Sequence, residues 1–138
     1  MRPLRGPALL AAAALAGCAT ARPTAPVCPA GHDARAAAQL VFGRNIGEQP
    51  GVSDEDFRRF VDEEITPRFP DGLTVLDAAG QWRGPSGVLV HESSKVVLLI
   101  LPTNGSADKP IAAIREAYKA KFRQDAVLFI SQPACVSF

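Results

Sequence analysis

The polar residues of this chain that could form a binding site lie between its apolar segments. Arg44 and Asn45 directly follow a short apolar segment, and side chains at strand ends often face clefts in a small sheet. Arg68, Asp71 and Asp77 come later and could face the same cleft from a second strand and its approach. The alternative is a structural cluster in which ion pairs and turns hold this loop down.

Two further side chains are candidates for binding, namely Trp82 and His91. His91 and Glu92 are adjacent on a predicted strand, so they point to opposite faces and cannot form a catalytic pair from that strand. A single histidine beside a turn more often packs or stays exposed than acts in catalysis. Trp82 lies near the tip of a predicted hairpin, where it could anchor a partner or pack underneath. We therefore predict no catalytic residue.

The sequence predicts neither a metal site nor a cofactor. Cys28 and His32 have the spacing of half a metal site, but the second half is missing. The chain has only two histidines, and the other one, His91, belongs to a different predicted element. A disulfide cysteine beside an exposed histidine explains this pattern better.

The apolar run from Val96 to Leu101 predicts the central strand of a sheet that is covered on both faces. Ser53 is a good N-cap for a helix that ends near Pro67, and Ser106 or Asp108 caps a second helix. Shorter apolar segments before, between and after these helices predict three more strands. Those segments are Leu40-Val-Phe42, Leu73-Thr-Val-Leu-Asp77, with a continuation to Trp82 if the strand bends at Gly80, and Val127-Leu-Phe-Ile130.

The element order βαββαβ is typical of a ferredoxin-like α+β sandwich. Right-handed crossovers place both helices on one face of an antiparallel four-stranded sheet, with the first strand between the third and the fourth. The second and third strands form a long central hairpin. This topology leaves the other sheet face without a covering helix, although its residues are also apolar. A second copy in a homodimer, the long hairpin with the N-terminal segment, or a ligand could cover it.

The first eighteen residues resemble a bacterial lipoprotein signal. Arg2 and Arg5 precede a short apolar run that ends in Leu15-Ala16-Gly17-Cys18, the pattern of a lipobox. The resemblance implies that residues 1–17 are removed and that Cys18 is lipidated and anchors the chain to a membrane. Ala19, in place of the aspartate of inner-membrane lipoproteins, favours the outer membrane facing the periplasm. An ordinary secretory signal is the alternative.

The remaining two cysteines predict a disulfide. With Cys18 lipidated, Cys28 and Cys135 form an even pair in an oxidising compartment. The predicted topology places the end of the last strand near the start of the first, where Cys28 lies. Two free thiols or an intermolecular bond are the alternatives.

The rest of the chain divides into two parts. Residues 18–36, rich in Ala, Pro and Thr, predict a tether, and residues 37–138 predict a single domain.

Several motifs are similar to a family of small bacterial exported proteins and lipoproteins that is known only as a domain of unknown function. They are Phe42-Gly-Arg-Asn45, Ser53-Asp-Glu-Asp-Phe57, Ile65-Thr-Pro-Arg-Phe-Pro-Asp-Gly-Leu-Thr-Val-Leu-Asp77, Gln81-Trp82, Ser94-Lys-Val-Val97, Ile114-Arg-Glu-Ala-Tyr118 and Ala134-Cys-Val-Ser-Phe138. The likeness extends over the whole predicted domain. It implies kinship and no particular chemistry, because this family has no assigned activity.

Two functions are compatible with these patterns. We favour an envelope lipoprotein without catalytic activity that binds a partner or an apolar ligand, because the best strands contain few polar residues. The alternative is a small dimeric α+β-barrel enzyme that acts on a small molecule in a pocket near Arg44, Asn45 and His91. The formal net charge of +1 shows no basic excess, so we expect no nucleic-acid partner.

Overall fold

The computed structural model describes residues 27–47, 49–83, 86–103 and 106–138. The predicted signal peptide, Cys18 and most of the predicted tether lie outside the described residues. Within the described part of the chain, no helix has the length and hydropathy needed to span a membrane.

The main sheet has four antiparallel strands. Strand β1 is Asp33–Gly43, followed by a small ribbon of β2, Asn45–Ile46, and β3, Gln49–Pro50. Strands β4, Thr74–Arg83, and β5, Leu89–Leu101, form the long hairpin, and β6 is Leu128–Val136. The order across the sheet is β4-β5-β1-β6, so the first strand lies between the third and fourth main strands. The ferredoxin-like prediction is confirmed.

Two helices pack on one face of this sheet. Helix α1, Asp54–Phe60, continues as a π-helix, Val61–Ile65, and α2 is Asp108–Phe122. The Ser53 hydroxyl accepts a hydrogen bond from the backbone N–H of Asp56 at 3.0 Å, which confirms Ser53 as the N-cap of α1. Both helices contribute buried apolar residues to a single core with β1 and β5.

Alternation along β1 determines which side chains enter this core. Leu40 and Phe42 are fully buried against the helices, as is Val97, which pairs with Leu40 from β5. Phe42 makes edge-to-face contacts with aromatic rings from both helices, and its ring centroid lies 4.7 Å from that of Tyr118. The helix face of the sheet is therefore a closed aromatic core.

A disulfide joins Cys28 to Cys135 within the chain, as the sequence predicted. The two Cα atoms are 5.5 Å apart. Because β1 and β6 are antiparallel neighbours, the bond ties the segment before β1 to the end of β6. It closes one end of the sheet, the end opposite Gly43.

Two strands are longer than the sequence patterns indicated. Strand β1 already begins at Asp33, inside the segment predicted as tether, because its first three residues pair with the end of β6; pairing with β5 begins at Ala36. Strand β6 runs through Pro133 to Val136. Because β6 is an edge strand, it forms backbone hydrogen bonds with β1 only. An edge strand tolerates proline, since the missing N–H can lie on the side that has no neighbouring strand.

Candidate functional site

The face of the sheet opposite the helices is called the open face here, and its side chains alternate with those of the core. Across the three strands β5, β1 and β6, Val96, Val41 and Leu128 share register positions on this face. Leu76, Leu128 and Ile130 expose 51%, 57% and 41% of their surface. Isolated apolar residues on a surface are ordinary, but a row of them across one sheet indicates a surface that binds a partner or a ligand.

One end of the open face, beside Gly43, contains a cleft of about 280 Å³, the Glu92 cleft. Glu92, Ser94 and Trp82 line it from the β4–β5 hairpin, and the loop after α2 adds Gln124 and Asp125. Trp82 is 40% exposed, whereas Ser94 is 7% exposed. The cleft thus combines an aromatic wall with carboxylate, hydroxyl and amide groups from separate segments, which is typical of small-molecule sites.

Two glycines make room for this cleft. Gly80 is the register partner of Glu92 across the hairpin, and a Cβ atom added at Gly80 would have nothing within 4 Å. A Cβ atom added at Gly43 would lie 2.6 Å from Oε1 of Glu92. The absence of both side chains therefore determines the depth of the cleft and the position of the Glu92 carboxylate.

The Glu92 carboxylate is held by the protein backbone. Its Oε1 atom accepts a hydrogen bond from the N–H of Asn45 at 2.7 Å, a charge-assisted bond between separate segments. Gln124 donates through Nε2 to the carbonyl oxygen of Asn45 and, at 3.2 Å, to that of Phe122. The loop after α2 is thereby connected to the same peptide that orients Glu92.

Tyr118 lies under the cleft, on the other side of β1. Its hydroxyl donates to the carbonyl oxygen of Gly43 at 2.8 Å. Burial raises the pKa of Tyr118 strongly, and the negative charge of Glu92 acts in the same direction. Tyr118 is therefore a fixed hydrogen-bond donor that stays protonated, and it positions the end of β1 below the cleft.

A separate charge network occupies the helix side of the same sheet end. Arg44 contacts Asp54 at 3.1 Å, Asp54 contacts Lys95 at 2.7 Å, and Lys95 also pairs with Asp77. The hydrogen bond from Lys95, followed by the charge of Arg44, lowers the pKa of Asp54. Hydrogen bonds to Asp54 and then Asp77 raise the pKa of Lys95. Arg44 also donates through Nε to the carbonyl of Val52 at 2.8 Å.

Some of the candidates from the sequence lie together and others do not. Trp82 lines the Glu92 cleft, and Asn45 orients Glu92 through its backbone. Arg44 and Asp77 join the network on the helix side, as in the structural alternative given above. His91 is exposed on the face opposite Glu92, and only its carbonyl meets Asn45, accepting from Nδ2 at 3.4 Å.

The remaining two candidates lie elsewhere. Arg68 pairs with Glu64 at 2.9 Å within its own helical segment. Asp71 borders a second depression of about 500 Å³, together with Arg35 and Phe138, at the other end of the sheet. Among the described residues, Arg44 has its ion pair with Asp54 and its side-chain hydrogen bond with Val52, and neither Arg68 nor Asp71 takes part in these contacts.

Glu92, Ser94, Gln124 and Asp125, the polar residues of the cleft, were not among the candidates predicted from the sequence. A sequence signal existed for Glu92 and Ser94, because strand alternation places them on the same face as Val96. Two polar residues at the end of an otherwise apolar face are unusual and could have indicated a site. Gly43 and Gly80, opposite them in register, added a second signal. Gln124 and Asp125 carried no signal, because a loop residue is placed by tertiary structure alone. Among the described residues, no cluster of three or more His, Cys, Asp or Glu side chains could hold a metal ion.

Two solved structures share this fold. A phage SAM lyase in complex with S-methyl-5'-thioadenosine is 17% identical, with a TM-score of 0.60 over 84% of this chain and 97% of the lyase. The apo state of a phage SAM lyase is 19% identical, with a TM-score of 0.57 over 76% of this chain and 90% of that protein. No protein of curated function matches the chain.

The fold shared with an enzyme contradicts our favoured prediction, a lipoprotein without catalytic activity. That prediction was wrong because it considered the apolar centres of the strands, whereas the polar groups converge at one end of the sheet and on a loop. The enzyme alternative agrees better with the comparison.

The family relationship is clear from the sequence itself. Residues 37–138 match the family described as "Protein of unknown function (DUF3574)", which includes all six elements from the middle of β1 to β6 that build the sheet and its helices. The chain therefore belongs to the DUF3574 family.

Proposed function

We propose that this protein is an enzyme that acts on a small molecule bound in the Glu92 cleft. The observation that carries the proposal is the Glu92 carboxylate, held at 2.7 Å by the Asn45 N–H inside a cleft that also contains Trp82 and Ser94. This enzyme is the alternative function given in the sequence analysis, but its site differs from the pocket predicted near Arg44, Asn45 and His91. The Glu92 cleft lies on the other face of the β4–β5 hairpin from His91.

Each group of the cleft has a chemical task in this proposal. A positioned carboxylate can accept a proton from a substrate, and general bases of this kind contribute about 10²–10⁴-fold to rates. Trp82 offers a flat apolar surface for a planar ring. Ser94 and Gln124 are polar groups on the floor and rim of the cleft, where they can orient the substrate. The fold shared with an enzyme of comparable size supports this assignment.

The phage SAM lyase suggests the first compounds to test. S-methyl-5'-thioadenosine, which that enzyme binds, serves as the binding probe, and S-adenosylmethionine (SAM) as the substrate. We expect the purified oxidised protein to cleave SAM by elimination: Glu92 takes a proton from the amino acid chain, at the carbon next to the one bonded to sulfur, and that C–S bond breaks. The products are S-methyl-5'-thioadenosine and 2-aminobut-3-enoate, both measured by chromatography. Glu92→Gln should lower the rate by about 10²-fold or more, because the amide cannot accept a proton.

A matched control separates chemistry from folding. Asp62→Asn changes an exposed carboxylate on the helix side and should leave the rate unchanged. Turnover that survives in Glu92→Gln would contradict the cleft as the active site. An inactive wild-type protein that also leaves the fluorescence of Trp82 unchanged with both compounds would contradict an adenosyl substrate.

We also propose that the protein is lipid-anchored in the cell envelope, on the outer membrane facing the periplasm. The lipobox before Cys18 supports this location, and the disulfide agrees with an oxidising compartment. Metabolic labelling with a fatty acid should mark the wild-type chain and not Cys18→Ser. Equal labelling of both proteins would contradict the anchor.

A homodimer through the open face is a further part of the proposal. Leu76, Leu128 and Ile130 leave an apolar row exposed in the single chain, and a second sheet packed on it would resemble an α+β barrel. Light scattering of the oxidised protein should give a dimer, and Leu128→Glu should give a monomer. A wild-type monomer would contradict this arrangement.

A further inference from the structure

We infer that the Glu92 cleft selects a cationic small molecule, such as a sulfonium or a substituted ammonium compound. This inference deepens the proposed function, because it names the substrate class of the same site. It depends on the charges that line the cleft, on the absence of a compensating cation there, and on Trp82.

The only charged side chains among the described residues that line the cleft are acidic. They are Glu92 and Asp125, while the neutral polar side chains are those of Ser94 and Gln124. Gln81 is in register with His91, so its side chain points to the other face. A cleft lined by one sign of charge attracts the opposite charge and raises its local concentration. An anionic substrate such as a phosphate would be repelled.

Three basic side chains near this end of the sheet have partners away from the cleft. Arg44 is held by Asp54 and the carbonyl of Val52, and Lys95 lies on the helix side between Asp54 and Asp77. Arg83 is adjacent to Trp82 but belongs to the other sheet face, where it donates to the carbonyl of Gly87 at 2.6 Å. None of these cations lines the cleft.

Trp82 adds the second feature that recognises a cation. In the hairpin, Trp82 pairs with Val90 and Gly80 pairs with Glu92, so Trp82 and Glu92 are diagonal neighbours on one face. An indole ring is the best aromatic partner of a cation, and this attraction grows when the site is partly desolvated. An aromatic wall beside two carboxylates favours an alkylated cation with an apolar body over an inorganic ion.

Trp82 is the only tryptophan of the chain, so its fluorescence reports on the cleft directly. We would quench it with caesium, iodide and neutral acrylamide at low ionic strength, each normalised to a free tryptophan amide. We expect normalised quenching by caesium to exceed that by iodide about threefold or more, because the cleft concentrates cations. Added salt should reduce the difference.

Substitutions then assign the preference to the cleft carboxylates. Glu92→Gln keeps an acceptor for the Asn45 N–H and should lower the caesium-to-iodide ratio about twofold, as should Asp125→Asn. Asp62→Asn, on the helix side, should leave the ratio unchanged. Iodide quenching as strong as caesium quenching in the wild type would overturn the inference, as would a ratio that neither cleft substitution changes.

Two ligands that share an adenosyl group test the same inference by binding. SAM carries a sulfonium charge and S-methyl-5'-thioadenosine is a neutral thioether, so SAM should bind more tightly, and Glu92→Gln should reduce that preference. Equal affinity for both would count against charge selection. A quenching ratio as expected together with no turnover of SAM would leave the cation site in place and refute SAM as the substrate of the proposed enzyme.

Discussion

The two faces of one sheet differ in what their side chains do. On the helix face, Phe42 and its aromatic neighbours fill a closed core, and charged groups at its margin pair with each other. On the open face, the same strands carry apolar side chains that remain exposed and two glycines that leave a cleft. Alternation along a strand thus separates the residues that stabilise the fold from those available for function.

The largest expected contrast is in stability. Phe42→Ala removes a fully buried ring and should lower the free energy of unfolding by about 3–5 kcal/mol. Leu128→Ala, on the open face, should cost the single chain less than about 1 kcal/mol at protein concentrations where it is a monomer, because the side chain is 57% exposed there. Chemical denaturation of the oxidised protein measures both. Equal losses would show that the open face is also a core.

The disulfide should also contribute to the free energy of unfolding. Cys28 and Cys135 are 107 positions apart, and a bond that closes so long a loop stabilises by about 2–5 kcal/mol in the chain-entropy account. We expect the double variant Cys28→Ser with Cys135→Ser to unfold at correspondingly lower denaturant. An unchanged midpoint would mean that β1 and β6 hold this end without the bond.

Much of the helix face could be predicted from the sequence, because alternation and helical periodicity encode burial directly. The strand order and the disulfide followed from the same patterns. The cleft could not be predicted in full. Glu92 was discounted because its neighbour His91 faces the other way, whereas its actual partner is the backbone of Asn45, and Gln124 arrives from a distant loop.

The glycines of the cleft allow a test that leaves stability nearly unchanged. Gly80→Val fills open space on a strand, so the free energy of unfolding should stay within about 1 kcal/mol while ligand binding is lost. Ala79→Val, exposed on the opposite face of the same strand, is the control and should bind normally. Normal binding by Gly80→Val would place the ligand elsewhere.

Gly43→Ala displaces the Glu92 carboxylate without removing it. The added Cβ would lie 2.6 Å from Oε1 of Glu92, so the carboxylate must move and its bond to Asn45 should break. We expect turnover to fall by about tenfold or more, with most of the stability kept. Undiminished turnover in Gly43→Ala would show that the observed position of Glu92 is not the active one.

The smallest expected effect is the pH dependence of the charge network. The pKa of Asp54 lies below its ordinary value of 3.8, so its pairing with Lys95 and Arg44 stabilises the fold above that pH. This contribution is lost as the pH falls through the lowered pKa. Lys95 acts at alkaline pH. Its pKa is raised above 10.5, so its ion pairs stabilise the fold fully below pH 10.5 and lose that effect as the pH rises through the raised pKa. Denaturation midpoints of Asp54→Asn should therefore fall less steeply in acid than those of the wild type.

The most direct test of a functional open face is an NMR titration of the ¹⁵N-labelled, oxidised protein with S-methyl-5'-thioadenosine. Our account predicts that amide shifts change at the Glu92 cleft, at Gly43, Gly80, Ser94 and Gln124, and not in the helix-face core or near Arg35. Changes confined to the helix face or to the end of the sheet near Arg35, or no changes at all, would contradict it.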